Sequence, residues 1–362
     1  MDYREKIVRV CRQLKEEGMD GLILSPSTDL TYMTEMRILS MERPVFLMIL
    51  CGKTFFVMPE FELAGLKQKS QDEITYIGWR EEENPYEKIG NIINESKLVV
   101  AIEPEMPVKM FWELKRVFHD WKWVSGDGIM SSLRSQKSDE EYHRLKEAHI
   151  RAGNAFEQLL QNGFAGKTEI QIAYMLKRFM ENEGLECDGL PLVAAGENSA
   201  QVHHSATDKQ IKSEDVVLID FGGKYKGYYS DITRTVVVDK LPEGFEEIYS
   251  IVRRANETVL KKARPEMSAE ELDSTARHII EQYGYGMYFT HRLGHGTGQD
   301  IHEKPYIVQG NKERLKEGNV FSNEPGIYLP GRYGVRLEDV LFLRRNGAEC
   351  LTELSHDLKI VK

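Results

Sequence analysis

Five side chains in the C-terminal half of the sequence have the types and spacing for metal chemistry. The stretch VVLIDFGGKYKGYYSD, Val216 to Asp231, sets Asp220 and Asp231 on two apolar β-prone runs joined by the turn KYKGYY. With the turn centred between Tyr225 and Lys226, Asp220 falls directly opposite Asp231 on one face of a hairpin, with Cβ atoms roughly 5 Å apart. Carboxylates that close share a proton or bind a cation. Further on, FSNEPGIYLPGRYGVRLED holds Glu324 and Glu338 on either side of Pro330-Gly331, a second hairpin centred on Gly331 with a second facing pair. Between the hairpins lies HRLGHGTGQDIHE, in which Gly294, Gly296 and Gly298 flank His295 and His302 follows. Imidazole ligates borderline divalent ions, and the glycines let backbone and substrate approach closely.

Each of these residues has a plain structural reading when taken alone. An aspartate at a strand end forms turns or ion pairs, a histidine between glycines hydrogen-bonds within its loop, and Glu338 beside Arg336 and Asp339 fits a solvated strand edge. The flanks decide for the set: Asp220 follows VVLI, Glu324 follows Val320-Phe321, and Glu338 precedes Val340-Leu341-Phe342. Carboxylates inside such runs are costly to bury unless paired or metal-bound. Four carboxylates and one imidazole exceed the needs of one four-coordinate zinc and suit two ions ~3.5–4 Å apart. Such a pair acidifies water toward pKa ~7, which supplies a nucleophile for amide hydrolysis.

The elements that position these residues come in two blocks. Residues 4–17 carry Ile7, Val10, Cys11 and Leu14 at helical spacing, Gly18 ends the run, and GLILS follows as a buried strand. Strand-like runs at 45–51, 54–58 and 97–102 alternate with helical stretches at 60–69, 85–94 and 107–118, the pattern of an α/β domain. No group of titratable residues collects there, so this block reads as structural or oligomerising. Periodicity weakens from Trp123 to Lys137. Ser138 and Glu141 then make a capping box before a long helix with Glu141, Leu145, Ala148, Ala152, Phe156 and Leu159 along one stripe. Two more boxes, Thr168 with Gln171 and Ser268 with Glu271, open helices that run to Gly184 and Gly284. Their similarity suggests an internal duplication.

Composition narrows the partners. A chain of 362 residues exceeds what one core usually organises, so two domains are expected. A net charge of -10 with no long Lys/Arg block argues against nucleic acid. The longest apolar run, Val45 to Cys51, is far short of the ~20 residues that span a bilayer. The N-terminus MDYREKIVRV is too charged for a secretory leader, and Cys11, Cys51, Cys187 and Cys350 form no CxxC pair. Unpaired thiols fit a reducing compartment, so a cytoplasmic location with no membrane partner is expected.

The segments LIDFGGKYKGYYSDITRT, HRLGHGTGQDIHE and FSNEPGIYLPGRYGVRLED resemble the pita-bread metallopeptidases (peptidase M24), the family of Xaa-Pro dipeptidase (prolidase), aminopeptidase P and methionine aminopeptidase. The likeness covers nearly the whole chain. It implies a creatinase/prolidase-like N-terminal α/β domain over 1–128. An α+β pita-bread catalytic domain with internal pseudo-twofold duplication then follows over 129–362. It also implies two divalent ions per subunit, Mn2+ or Co2+ with Zn2+ also compatible, and a homodimer. Carried over by residue, Asp220 chelates the first metal, His295 and Glu324 hold the second, and Asp231 and Glu338 bridge both. Thr233 matches a position that orients a ligand carboxylate. His203, in AAGENSAQVHHSAT, and His302 match imidazoles that bind substrate and stabilise the tetrahedral intermediate. From the residues alone, His203 and His204 are an undistinguished loop pair.

What the resemblance implies for the reaction is hydrolysis of an Xaa-Pro amide by a metal-bridging hydroxide, with Glu324 shuttling the proton to the leaving nitrogen. Arg336, two residues before Glu338, is expected at the edge of the site, near the substrate carboxylate or the metal-binding glutamates; its structural alternative is a salt bridge to Glu338 or Asp231. The leading expectation is an Xaa-Pro dipeptidase acting on proline-containing peptides, and the alternative is an aminopeptidase P taking longer ones. A catalytically inactive scaffold relative is the remaining reading, although all five ligands are intact. Two positions depart from the family: Tyr306 stands where some prolidases carry an arginine, and Val202 replaces a common proline.

Overall fold

The computed structural model describes residues 3–50, 52–66 and 74–362, and the chain divides into two compact units, Met1–Arg134 and Ser135–Lys362. Cys51 and residues 67–69 of the expected strand and helix lie outside the described residues.

In the first unit the elements run α1 (Tyr3–Glu16), β1 (Gly21–Leu24), α2 (Thr28–Thr34), β2 (Phe46–Leu50), β3 (Lys53–Pro59), α3 (Glu60–Leu66) and β4 (Ile74–Trp79). They continue with α4 (Pro85–Ile92), β5 (Val99–Ile102), α5 (Val108–Val117), β6 (Lys122–Ser125) and α6 (Asp127–Ser135). The strands form one mixed sheet in the order β4-β3-β2-β1-β5-β6. Because alternate strand residues face opposite sides, Leu22 and Leu24 pack with Val10, Leu14 and Ile129 on one face, while Ile23 packs with Ile89, Met110 and Leu114 on the other. Helices thus cover both faces, as the α/β pattern predicts. The stretch from Trp123 to Lys137, where periodicity weakens, holds most of β6 and all of α6. At the end of β5, the buried Glu103 accepts hydrogen bonds from the Ser25 amide and hydroxyl and, at 2.6 Å, from the Ser27 hydroxyl.

The second unit begins with α7 (Asp139–Leu160) and α8 (Glu169–Asn182), each opened by the predicted capping box. Strands β7 (Leu192–Ala195), β8 (Val216–Phe221), β9 (Lys224–Tyr225), β10 (Tyr228–Tyr229) and β11 (Ile232–Val238) follow. The order then repeats with α9 (Phe245–Lys262) and α10 (Ala269–Gln282), strands β12 (Gly294–Gly296), β13 (Glu303–Ile307), β14 (Val320–Asn323), β15 (Gly326–Leu329), β16 (Tyr333–Arg336) and β17 (Asp339–Arg344), and finally β18 (Gly347–Cys350) and β19 (Lys359–Val361). α7 and α8 pack Ala148, Phe156, Ile172 and Leu176 onto the sheet β19-β11-β8-β7. α9 and α10 pack Val252, Leu272 and Ala276 toward Phe321, Leu341 and Leu343 in the sheet β13-β12-β14-β17-β18. Burying each such large apolar side chain stabilises by about 1.5–3 kcal/mol before conformational entropy is counted. Equivalent single bridges, Thr168 to Gln210 and Ser268 to Arg314, mark the duplication. Among the described residues no helix is long and apolar enough to cross a membrane.

Hairpin registers decide where the carboxylates point. β15 and β16 pair Gly326 with Arg336 and Leu329 with Tyr333, and β14 and β17 pair Asn323 with Asp339, so the second hairpin is centred on Gly331 as expected. The first is not centred between Tyr225 and Lys226. Tyr225 pairs with Tyr228, so the turn is Lys226-Gly227, and Asp220 faces Thr233 rather than Asp231. Both central residues have positive φ, 48° and 82°, which is the two-residue turn whose twist suits a hairpin and which Gly227 favours. The side-chain parity is unchanged, so Asp231 stays on the same side as Thr233 and Asp220, as a diagonal neighbour.

Candidate metal centre

The two hairpins and β12 deliver their polar side chains to one place. Asp231 enters just before β11, His295 sits at the middle of β12, and Glu338 lies between β16 and β17. All three are buried, at 7%, 3% and 2% exposure, with possible ligand atoms within 4.8 Å of one another. Glu324, between β14 and β15, places Oε1 3.3 Å from His295 Nε2, and Asp231 Oδ2 lies 3.6 Å from the same nitrogen. His295 Nδ1 faces the Gly296 carbonyl at 3.1 Å and must donate to it, which turns the Nε2 lone pair toward the carboxylates. The glycines beside it are required by backbone packing: a Cβ on Gly294 would lie 1.9 Å from the Ser322 carbonyl oxygen, and one on Gly296 2.3 Å from that of Lys304.

The surroundings hold these groups in register. Thr233 Oγ1 donates to Glu338 Oε2 at 2.7 Å, and Ser322 Oγ donates to Glu324 Oε1 at 3.1 Å. Arg336 is buried and donates from Nη2 to Asp220 Oδ2 at 2.6 Å, from Nε to Thr233 Oγ1 at 3.0 Å and from Nη1 to the Tyr328 hydroxyl at 2.9 Å. Its ion pair is therefore with Asp220, not with Glu338 or Asp231. Asp220, with a side chain 30% exposed, stands at the rim of the cluster.

The electrostatics ask for a cation. Burial, with repulsion from Asp220 and Glu324, pushes the Asp231 carboxyl well above its usual range. Burial, with repulsion from Asp231 and Glu324, does the same to Glu338, and burial lifts Glu324 to about 7 against the pull of Arg336. Burial also lowers His295 to about 3, so its imidazole is neutral and able to ligate. Oxygen-rich buried donors plus one neutral imidazole nitrogen fit hard or borderline divalent ions.

The other predicted residues gather around this centre. The His302 ring lies 4.0 Å from that of His295, edge-on. His203 is exposed, and its neighbour Val202 offers a carbonyl to Arg336 Nη1 at 3.4 Å. His204 is drawn away: its Nε2 lies 2.9 Å from the buried Glu169, which also accepts from the amides of Ala195 and Thr207. That contact separates two histidines the sequence leaves equivalent.

Four supporting residues escape the sequence reading. His149, on the apolar stripe of α7, donates from Nδ1 to the Leu145 carbonyl and accepts the Asp231 amide at Nε2, 3.3 Å away; burial lowers it to about 4. Arg234 donates to the Glu338 carbonyl at 2.7 Å and to Asp339 Oδ1 at 2.8 Å. His291 donates from Nδ1 to the Arg292 carbonyl and accepts the Tyr328 hydroxyl at Nε2, 2.8 Å away. Burial and the Arg336 charge hold it near 3. Three of these, Arg234, His291 and Tyr328, lie inside the segments that carry the family resemblance; His149 does not.

Residues 143–345 match the model of metallopeptidase family M24, and residues 6–136 match the creatinase/prolidase N-terminal domain. The Xaa-Pro dipeptidase of Pyrococcus furiosus is 33% identical over 98% of this chain and 99% of its own. Among solved structures, the prolidase from Thermococcus sibiricus superposes with a TM-score of 0.92 at 35% identity, covering 100% of both chains. The X-Pro aminopeptidase from Thermotoga maritima does so with a TM-score of 0.84 at 30% identity, over 95% of this chain and 98% of that one.

Proposed function

The chain belongs to metallopeptidase family M24, and on that premise we propose that it is an Xaa-Pro dipeptidase. Family membership makes it a divalent-metal hydrolase of peptides. The observation that carries the finer reading is the buried meeting of Asp231, His295 and Glu338, with Glu324 and Asp220 adjoining, in a chain matched end to end by an Xaa-Pro dipeptidase.

Two divalent ions, manganese or cobalt with zinc also compatible, would be held by Asp220, Asp231, His295, Glu324 and Glu338. When bound, such ions acidify water and polarise the scissile carbonyl. The chain's own residues do the rest. His302, against the His295 ring, and His203, on the exposed loop, donate to the oxygen that gains charge. Glu324, beside His295 in the site, would take a proton and deliver it to the prolyl nitrogen. Thr233 and Arg336 keep Glu338 and Asp220 oriented. The oligomer is a homodimer in a reducing cytoplasm, which sedimentation and fractionation test.

A second reading, aminopeptidase P, is favoured by Tyr306 and by the likeness to the Thermotoga X-Pro aminopeptidase. Comparing kcat/KM for Met-Pro and Met-Pro-Ala separates them: a dipeptidase prefers the first, an aminopeptidase P cleaves the second as well or better.

A further inference from the structure

Among the described residues Arg292 has no acidic partner, and it stands beside the centre. Its guanidinium lies 4.5 Å over the ring of Tyr306. Tyr306 is the direct antiparallel partner of His295, and such partners project their side chains to the same face, so the ring stands on the side of the metal-centre imidazole. Arg292 is itself half-buried, and its backbone is anchored: its carbonyl accepts from His291, and the next residue, Leu293, bonds its amide to Asp273 and its carbonyl to the Glu324 amide. Other buried or half-buried arginines of this unit are committed, Arg234 to Asp339, Arg277 to Asp273 and Arg336 to Asp220. Among the described residues no carboxylate lies within ion-pair distance of Arg292.

A guanidinium stacked on a ring keeps its N–H edge free for a planar, two-pronged anion. We propose that Arg292, braced on Tyr306, binds the free C-terminal carboxylate of the dipeptide and so sets the preference for dipeptides over longer peptides. In Xaa-Pro that carboxylate lies only one residue, ~3.8 Å, beyond the scissile bond, so its partner has to stand at the edge of the metal centre. Tyr306 is then the support of a clamp and not the mark of an open far end. This inference rests on the dipeptidase reading.

The test compares wild type, R292M, R292Q and R292K, all manganese-loaded, on Met-Pro and on Met-Pro amide, which lacks the charge. R292M and R292Q raise KM for Met-Pro ~10–100-fold with a much smaller change in kcat, and the Met-Pro to amide ratio of kcat/KM falls by the same factor. R292K retains part of that ratio. Far-UV circular dichroism and metal content matching wild type establish that each variant is folded, R292Q standing in if R292M is not. Equal loss on both substrates, or an unchanged ratio, overturns the clamp. Wild-type turnover of Met-Pro with an unchanged variant ratio refutes the clamp alone; no wild-type turnover of either substrate refutes the dipeptidase reading and the clamp with it.

Discussion

Thr233 and Glu338 are joined twice: the Glu338 amide donates to the Thr233 carbonyl at 3.1 Å, and the Thr233 hydroxyl donates to Glu338 Oε2 at 2.7 Å. Thr233 is also the strand partner of Asp220. One small residue therefore ties the first hairpin to the second at the point where their carboxylates converge.

Replacing Thr233 with Val keeps the shape and removes the hydroxyl. Glu338 then loses its orienting donor, and Arg336 loses the oxygen at its Nε. Metal affinity or kcat is expected to fall ~10–100-fold, with a stability loss of about 1–2 kcal/mol. Metal titration beside thermal unfolding distinguishes the two effects; a T233V protein with wild-type affinity and rate contradicts the assigned role.

Arg234 and Asp339 form a buried pair, at 3% and 1% exposure, and the Arg234 charge with the His356 contact holds Asp339 well below the usual carboxylate range despite burial. R234M leaves Asp339 buried against His356 alone and frees the Glu338 carbonyl. A loss of about 3–5 kcal/mol is expected in urea unfolding followed by far-UV circular dichroism. The double variant R234M/D339L, which removes both charges, is expected to lose less. Equal losses would mean that the pair does not govern stability here.

In the first unit, burial lifts Glu103 from 4.5 to about 7 although Ser25 and Ser27 donate to it. Between those values the folded protein holds a proton that the unfolded chain has released. Stability from this group is therefore present below pH 4.5 and lost as pH rises toward 7, by roughly 3 kcal/mol. All four tryptophans, Trp79, Trp112, Trp121 and Trp123, lie in this unit, so their fluorescence reports its unfolding. Wild type is expected to weaken from pH 5 to 8 relative to E103Q, whose curve is flatter. Parallel curves would place the pH dependence elsewhere.

The site's legibility in the sequence followed sequence distance. Glu324 and Glu338 share one local hairpin, and Pro330-Gly331 marked its centre correctly. In the first hairpin the centre was set one residue early, because Lys226 takes a positive φ that its side chain does not advertise and only Gly227 hints at. His149 and Glu169 carried no local signal, and nothing around Arg234 in its motif pointed to Asp339. Their partners lie 82 residues away for Asp231, 105 for Asp339 and 35 for His204, so only the packed fold brings them together. The bond from Arg336 to Asp220, 116 residues apart, is of the same kind, whereas the facing of Arg336 and Thr233 on the site side followed from strand parity.

The most direct test of the central claim is metal-dependent hydrolysis. Protein stripped by chelation is reloaded with manganese, cobalt or zinc and assayed on Met-Pro beside Met-Pro-Ala, with D231N as the control. The account predicts about two ions bound per chain, turnover that returns only with metal, preference for Met-Pro, and loss of both binding and turnover in D231N. Turnover that survives chelation, or a metal-loaded protein that cleaves neither peptide, would contradict it.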